Sequence, residues 1–223
     1  EKEEKEEKEV SYLQDRGGVK YEINSEVGFT GKYVEFYKDG QKKVEEHLKL
    51  GKRHGLYLRW YENGQKIEET KYKSGKEEGL VTSWFKNGQI ESEAEYKNGK
   101  LDGLHLGWWE NGQKESEGNW IDGKRVGLVT YWYENGQIRG EVNYKDGELG
   151  GLYTQWFENG QKKSEVNYKD GKEEGLWIIW YENGQERSKC TIEGGVFVGL
   201  VTEWDKEGNV TKTEIYKDGE LVK

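Results

Sequence analysis

Hydrophobic and polar residues alternate along most of this chain in short runs, and turns that contain glycine separate the runs. Residues 56–61 form one such run, residues 62–64 are Glu-Asn-Gly, and residues 66–72 form the next run. Alternation of this length predicts β-strands, and an Asn-Gly turn between two such runs predicts a β-hairpin. The Lys-Ser-Gly sequence of residues 73–75 predicts a second turn, which leads into the next hairpin.

The hairpin recurs every 24 residues. Three series of glycine, which start at Gly31, Gly40 and Gly51, keep this spacing through eight positions each without an insertion. A fixed period of this length indicates a tandem array in which each unit buries surface only against its neighbours. We therefore expect an all-β fold, an elongated antiparallel β-meander of eight tandem 24-residue β-hairpin repeats in a single twisted sheet.

The two ends of the chain depart from the repeat. Residues 1–9 contain only Glu and Lys and predict a charged, flexible tail, while residues 10–31 keep apolar residues without the spacing and predict an irregular N-terminal cap. Residues 32–223 form the eight-unit array. In its last unit Asp205 replaces an aromatic residue, and Lys212 and Glu214 replace small ones, which predicts a polar C-terminal cap.

The geometry of the turns decides which residues share a face of the sheet. A two-residue turn would pair Tyr61 with Lys66, whereas a three-residue loop with a left-handed Gly64 would pair Tyr61 with Gln65. The three-residue loop places Trp60 on the face of residues 66, 68, 70 and 72. In other units the middle two of these positions hold small residues, such as Ser92 and Ala94 or Gly140 and Val142, where a neighbouring indole needs room. We therefore expect this loop at both turns of every repeat.

The face that carries the tryptophans is therefore the predicted core. Its members recur once per unit at the end of the outgoing strand, and Gly55 and its equivalents precede a leucine that also points inward. On the return strand we expect Tyr72 and its equivalents to pack against the indoles, with Leu48 and Ile192 as substitutes. The predicted structural ladder is Phe36, Trp60, Trp84, Trp108, Trp132, Trp156, Trp180 and Trp204.

A second row of aromatic residues follows the ladder by one position and lies on the opposite face. Charged residues of the return strand, such as Glu69 and Glu93, flank it. Aromatic side chains among carboxylates are typical of a recognition surface, and they are also typical of cross-strand pairs that stiffen a sheet. The candidate partner surface is Tyr37, Tyr61, Phe85, Trp109, Tyr133, Phe157 and Tyr181.

One position of the outgoing strand varies without any shared chemistry from unit to unit. Such a position is either unconstrained or adjusted separately in each unit to a partner. Its residues are Arg59, Ser83, Gly107, Tyr131, Gln155, Ile179 and Glu203.

Composition and charge narrow the class of function. The chain has 223 residues, of which 35% are charged, 32% hydrophobic and 13% aromatic, so a thin repeat structure suits it better than a thick core. The formal net charge of -9 argues against a nucleic acid or an anionic membrane as a partner. The chain begins at Glu1 and lacks methionine, which favours an exported or cell-envelope protein over a cytoplasmic one.

The sequence offers no pattern of catalytic or metal-binding residues. His47, His54 and His105 do not recur with the repeat, and with the single Cys190 they give neither HExxH nor CxxC spacing. The many carboxylates recur in every unit, so no pair stands out as an acid and a base. We expect a protein that is not an enzyme and has no cofactor and no metal.

The unit G-L-x-x-x-W-Y-E-N-G-Q-K-x-S-E-x-x-Y-K-D-G-K resembles the variant MORN repeat of bacterial proteins in the YwqK antitoxin-component family. This resemblance covers nearly all of residues 11–223. It implies a non-catalytic scaffold for protein–protein recognition, with an antitoxin- or immunity-like role and a protein partner. The alternatives are a structural repeat protein of the cell envelope or surface, and a lipid-associated module of the kind formed by related MORN arrays.

Overall fold

A computed structural model describes residues 7–222, and these residues form β-strands, turns and connecting segments without a helix. The chain divides into two compact units, Glu1–Gly112 and Gln113–Lys223. Within each unit, consecutive strands pair antiparallel as hairpins that follow the 24-residue period. The predicted all-β fold of tandem antiparallel hairpins is confirmed.

The first unit begins with short strands and continues with three hairpins and one further strand. The hairpins are β4–β5, β6–β7 and β9–β10, and the short β8 precedes β9. The strands are β1 (Glu9–Val10), β2 (Gln14–Arg16), β3 (Val19–Tyr21), β4 (Gly31–Phe36), β5 (Lys42–Lys49), β6 (Lys52–Trp60), β7 (Lys66–Lys73), β8 (Lys76–Glu77), β9 (Gly79–Trp84), β10 (Ile90–Lys97) and β11 (Lys100–Trp108).

The second unit contains four complete hairpins, β13–β14, β15–β16, β17–β18 and β19–β20, and each hairpin also pairs with the next. Its strands are β12 (Lys114–Ile121), β13 (Lys124–Trp132), β14 (Ile138–Lys145), β15 (Glu148–Trp156), β16 (Lys162–Lys169), β17 (Lys172–Trp180), β18 (Glu186–Glu193), β19 (Val196–Trp204), β20 (Val210–Lys217) and β21 (Glu220–Leu221).

The first turn of each hairpin is the predicted three-residue loop. The Tyr61 N–H donates to the Gln65 carbonyl at 2.8 Å, and the Gly64 N–H donates to the Tyr61 carbonyl at 3.0 Å. Gly64 has a φ of 81°, the left-handed conformation that closes a type I turn with a G1 bulge. This part of the predicted register is confirmed.

A second bulge follows at once and changes the face of the return strand. Trp60 faces Lys66, but the next pair is Arg59 with Glu68, so Ile67 is an extra residue. Because side chains alternate along a strand, one extra residue moves every later side chain to the other face. Residues 68, 70 and 72 therefore do not share the face of Trp60, and that prediction is wrong.

The second turn also differs from the prediction. Lys73 faces Lys76, and both intervening residues have a positive φ, 53° at Ser74 and 83° at Gly75. Two residues with positive φ form a type I′ turn, whose twist matches that of a hairpin, so the loop has two residues and not three.

The third glycine series lies at a bulge in the outgoing strand. Tyr144 faces Leu149 and Val142 faces Tyr153, so residues 150–152 lie opposite Asn143 alone. Gly151, within this bulge, has a φ of 90°. Every glycine of the three series has a positive φ, so the 24-residue period records three left-handed backbone positions per repeat.

Most buried side chains lie on one side of the sheet, which we call the core face. It carries Tyr57, Thr70, Tyr72 and the positions equivalent to them, because Tyr57 faces Thr70 across β6 and β7. Several residues at these positions, from both units, are less than 10% exposed. They are Leu48, Tyr57, Thr70, Tyr72, Ala94, Trp120, Val129, Val142, Val166, Cys190, Ile192 and Val201.

The opposite side, the tryptophan face, is not the main core. Phe36 is 47% exposed, and the seven tryptophans of the predicted ladder are partly buried. The predicted partners of the ladder, such as Tyr72, are buried on the core face instead. The leucines expected to point inward are exposed, at 49% for Leu128 and 47% for Leu152. The prediction that the tryptophan face is the core is therefore wrong, because the bulge after the first turn sends the return-strand residues to the other side.

Lysines of the preceding repeat cover several of the indoles. The ammonium group of Lys114 lies 5.7 Å from the ring centre of Trp132, and it pairs with the Glu117 carboxylate at 2.6 Å. A cation over an indole ring is attracted by the negative face of the ring. The same arrangement joins Lys42 to Trp60, Lys66 to Trp84 and Lys162 to Trp180.

The N-terminal segment docks on the first hairpin. Strand β1 pairs in parallel with β4, and the Lys32 N–H donates to the Lys8 carbonyl at 2.7 Å. The tail predicted over residues 1–9 is therefore ordered at Lys8 and Glu9, while residues 1–6 lie outside the described residues. The hairpin β2–β3 follows, and its Lys20 N–H donates to the Gly51 carbonyl at 2.9 Å.

The repeat glycines should tolerate alanine poorly. At Gly136, with a φ of 83°, an added Cβ would lie 2.7 Å from Oε1 of Gln113. We expect Gly136→Ala to lower the free energy of unfolding by about 1–2 kcal/mol, the cost of a left-handed alanine. Gly150→Ala is the control, because Gly150 has no positive φ and its nearest neighbour would be 3.6 Å from the Cβ. Equal urea-unfolding midpoints for the two variants would contradict this explanation of the period.

Two tryptophans of the second unit should differ in their contribution to stability. Trp120 is 9% exposed on the core face, whereas Trp132 is partly buried on the tryptophan face. We expect Trp120→Ala to cost about 3–5 kcal/mol, as a buried aromatic residue does. Trp132→Ala should cost about 1–2 kcal/mol, because it removes less apolar area from contact. Denaturant unfolding of both variants measures the difference, and a larger loss at Trp132 would reverse the assignment of the faces.

Candidate functional site

The predicted partner row lies immediately after the outgoing strands, and its tyrosines join consecutive repeats. The Tyr133 hydroxyl donates to the backbone carbonyl of Trp156 at 2.8 Å, and Tyr181 donates to Trp204 at 3.0 Å. In the first unit Tyr37 and Tyr61 make the same bond to Trp60 and Trp84. All seven residues of the row are partly buried. The row therefore includes cross-repeat hydrogen bonds, in addition to any contact with a partner.

Side chains of the first turns add to this connection. The Asn135 side-chain amide donates to the Glu158 carbonyl at 3.1 Å, and its carbonyl oxygen accepts the Gln137 N–H at 2.9 Å. Asn63, Asn87, Asn159 and Asn183 donate in the same way to the next turn. The repeated polar residues of the turn are thus used to hold one repeat on the next.

A tyrosine-lined hollow opens on the core face of the second unit. Its volume is about 480 Å³, within the range of sites that bind small molecules or side chains. Strands β13, β14 and β15 supply its floor. We call this site the tyrosine hollow; it is lined by Tyr131, Tyr133, Arg139, Gly140, Val142, Tyr144, Leu149, Tyr153, Gln155, Trp156 and Lys163.

Strand register explains how the hollow assembles. Tyr131, Gly140 and Gln155 lie opposite one another on three adjacent strands, and Val142 and Tyr153 pair one step further along. Gln155 Nε2 donates to the Tyr153 hydroxyl at 2.5 Å. The Ser164 hydroxyl donates to Gln155 Oε1 at 2.9 Å, which fixes the amide from the other side. The polar wall is therefore held in place by its own hydrogen bonds.

Gly140 is buried in the floor of the hollow. Its φ is not positive, and an added Cβ would come no closer than 3.6 Å to the Thr154 carbonyl oxygen and 3.7 Å to the Tyr153 ring. Neither the backbone nor the packing therefore requires glycine here. Other repeats carry serine at this position, as at Ser92, Ser164 and Ser188.

Two cations come from the bulges that follow the first turns. Arg139 lies over the Tyr131 ring, 5.5 Å from its centre, and the Lys163 ammonium lies 5.7 Å from the centre of the Phe157 ring. Within residues 7–222 neither cation is within ion-pair distance of a carboxylate, whereas the neighbouring Lys162 pairs with Glu165. The hollow is thus locally cationic in a chain with a net charge of -9.

Two phenols of the hollow, Tyr131 and Tyr133, are protonated at neutral pH because their pKa values are raised. Burial raises the pKa of the Tyr131 hydroxyl, and the guanidinium groups of Arg125 and Arg139 oppose that shift only in part. Burial also raises the pKa of Tyr133, and the carboxylate of Glu158, outside the hollow, adds to the effect.

Neither the histidines nor Cys190 line this hollow. Cys190 is buried on the core face with its thiol 3.9 Å from the Trp177 carbonyl oxygen, and burial raises the pKa of the thiol. In the described part of the chain, His, Cys, Asp and Glu form no group of three or more that is arranged to hold a metal ion. Residues 7–222 contain no helix that is long and apolar enough to cross a membrane.

Sequence reasoning identified part of the hollow. Tyr133 belongs to the predicted row, and Tyr131 and Gln155 belong to the variable position. Arg139 and Lys163 were missed because only the bulge turns them toward the core face. Gly140 was noted as room for an indole, whereas the structure places it opposite Tyr131. The change from serine to glycine at this position was the signal available in the sequence.

Removing a hydrogen bond between repeats should lower the stability of the chain. We expect Tyr133→Phe to lower the free energy of unfolding by about 0.5–1.5 kcal/mol, because it removes a hydrogen bond to a backbone carbonyl. Phe157→Tyr is the converse change, since it supplies a hydroxyl at the equivalent place, and it should not destabilise the chain. Thermal unfolding of both variants tests this, and equal losses for the two would contradict the role of the hydroxyl.

Comparison with protein-family models relates these repeats to a known family. A search of curated proteins gives no match. The model of the MORN repeat variant matches six consecutive segments, residues 53–74, 77–98, 101–122, 125–146, 149–170 and 173–192. The segments follow the 24-residue period and together cover more than half of the chain, so it belongs to the MORN repeat variant family.

Proposed function

We propose that this MORN repeat protein is a non-catalytic scaffold that recognises a protein partner through its core face. The observation that carries the proposal is the position of the variable row, which comprises Arg59, Ser83, Gly107, Tyr131, Gln155, Ile179 and Glu203. This row lies on the core face, because Arg59 faces Glu68 and Tyr131 faces Gly140 across the sheet.

In each repeat, some positions keep the same residue and make structural contacts, whereas others vary. This difference supports the proposed function. Repeated residues make the structure: glycines close the turns, Tyr133 and Asn135 join repeats, and Val129 and Val142 fill the core face. The residues of the variable row contact the opposite strand through pairs that differ from repeat to repeat, such as Arg59 with Glu68 and Gln155 with Ser164. A surface that varies on a constant framework is how repeat proteins present different contacts to a partner.

The residues of the tyrosine hollow suit a protein partner. Tyrosine and arginine are enriched where protein interfaces gain most of their binding energy, because they bury a large area and also form hydrogen bonds. The net charge of -9 disfavours a polyanion as the main partner. The resemblance to antitoxin components favours a toxin-like partner that this chain would hold in a complex.

Capture experiments with matched variants test the proposal. The immobilised full chain, the double variant Tyr131→Ser with Gln155→Ser, and the control Leu128→Ser with Leu152→Ser are exposed to lysate of the source organism. Both control residues are about half exposed on the tryptophan face. We expect the wild type and the control to retain the same protein, and the first variant to retain at least tenfold less, since hot-spot residues carry most of the affinity.

Circular dichroism and unfolding curves must show that each captured variant is folded. Two results would refute the proposal: no specific protein retained by the wild type, or equal loss in the two folded double variants.

A further inference from the structure

We infer that the tyrosine hollow binds a carboxylate-bearing side chain within an extended peptide segment of the partner. The inference rests on the proposed function and specifies its chemistry at one place on the core face. Three observations carry it: two cations without a carboxylate partner, a glycine in the floor that packing does not require, and aromatic walls with polar groups.

The first observation is the charge at the rim. Arg139 and Lys163 have no carboxylate at ion-pair distance within residues 7–222, and no acidic residue lines the hollow. Elsewhere in this acidic chain, cations such as Lys66 and Lys114 pair with glutamates of their own strand. A cationic rim in a chain with a net charge of -9 attracts an anion.

The second observation is the glycine in the floor. Glycine within a strand costs backbone entropy relative to a residue with a side chain. At Gly140 the added Cβ would meet only ordinary contacts, so packing does not explain glycine there. By contrast, at Gly118 the Cβ would lie 2.9 Å from a Val129 methyl group, so packing does explain it. The missing side chain at Gly140 therefore makes the hollow deeper than it would be with the serine of other repeats.

The third observation is the chemistry of the walls. The rings of Tyr131, Tyr144 and Tyr153 offer apolar faces, and Arg125 already donates to the Tyr144 hydroxyl at 3.0 Å. The orientation of Gln155 is fixed by two hydrogen bonds. Such walls fit the apolar part of a side chain or a neighbouring aromatic residue, while the cations at the rim take the carboxylate.

A second hollow on the core face differs from the tyrosine hollow in its charged residues. Near the C-terminal end of the chain, Glu203, Lys212 and Glu214 line a hollow of about 230 Å³. Lys212 there pairs with Glu214 at 3.0 Å. Two carboxylates and a paired cation disfavour an acidic ligand, so we do not expect the acidic segment to bind there.

Two peptide probes test the inference with the full chain. Ac-Glu-Phe-Glu-Phe-NH2 and Ac-Lys-Phe-Lys-Phe-NH2 share length and aromatic content and differ in charge. We expect the acidic peptide to bind at least tenfold more tightly in calorimetric titrations at low salt, with an affinity that falls as salt rises.

Matched variants locate the binding. R139E should weaken the acidic peptide at least tenfold, whereas R187E, the same change two repeats further along at the bulge beside Tyr181, should leave its affinity within twofold. Gly140→Val should abolish binding by filling the floor. Gly150→Ala, a change at another glycine without positive φ and outside the hollow, should not.

Equal binding of the two peptides, equal effects of R139E and R187E, or full binding by a folded Gly140→Val variant would each overturn the inference. The proposed function is tested separately. A protein captured from lysate that depends on Tyr131 and Gln155 but is unaffected by R139E would refute the acidic specificity alone.

Discussion

The structure depends on backbone positions that glycine adopts without strain and that recur three times in each repeat. Gly64 closes the first turn, Gly75 closes the second, and Gly151 bends the outgoing strand, each at a positive φ. These positions bring each turn against the next one, where side chains such as Asn63 and Tyr61 bond to carbonyls about one period further along the chain. An insertion in any repeat would break these bonds, which explains why the spacing stays constant.

The small bulge after the first turn has a structural and a functional consequence. It sends residues such as Thr70 and Tyr72 to the side of Tyr57, and this side becomes the core face. It also directs its own extra residue toward that face, and in three successive repeats this residue is a cation: Arg139, Lys163 and Arg187. The same backbone feature therefore builds the core and places charge beside the tyrosine hollow.

Much of the fold could be predicted from residues whose effect is local. The Glu-Asn-Gly loop with Gly64 was predicted with the correct number of residues, because turn geometry follows from a few adjacent residues. The second turn was predicted with one residue too many, although later repeats carry Asn98 or Asp122 at the position of Ser74, and Asn-Gly and Asp-Gly are typical of a two-residue type I′ turn. Of the tyrosine hollow, Tyr133 was predicted as part of an aromatic row, and Tyr131 and Gln155 as variable residues.

The sequence by itself determined the repeat, the hairpin and the family, because the glycine period and the turn residues are read along the chain. Only the tertiary structure decided which face is packed. Alternation does not reveal an extra residue such as Ile67, and one such residue exchanges the two faces. The tyrosine hollow likewise needed the structure, because Tyr131, Gly140 and Gln155 come from three strands and meet only through the register of the sheet.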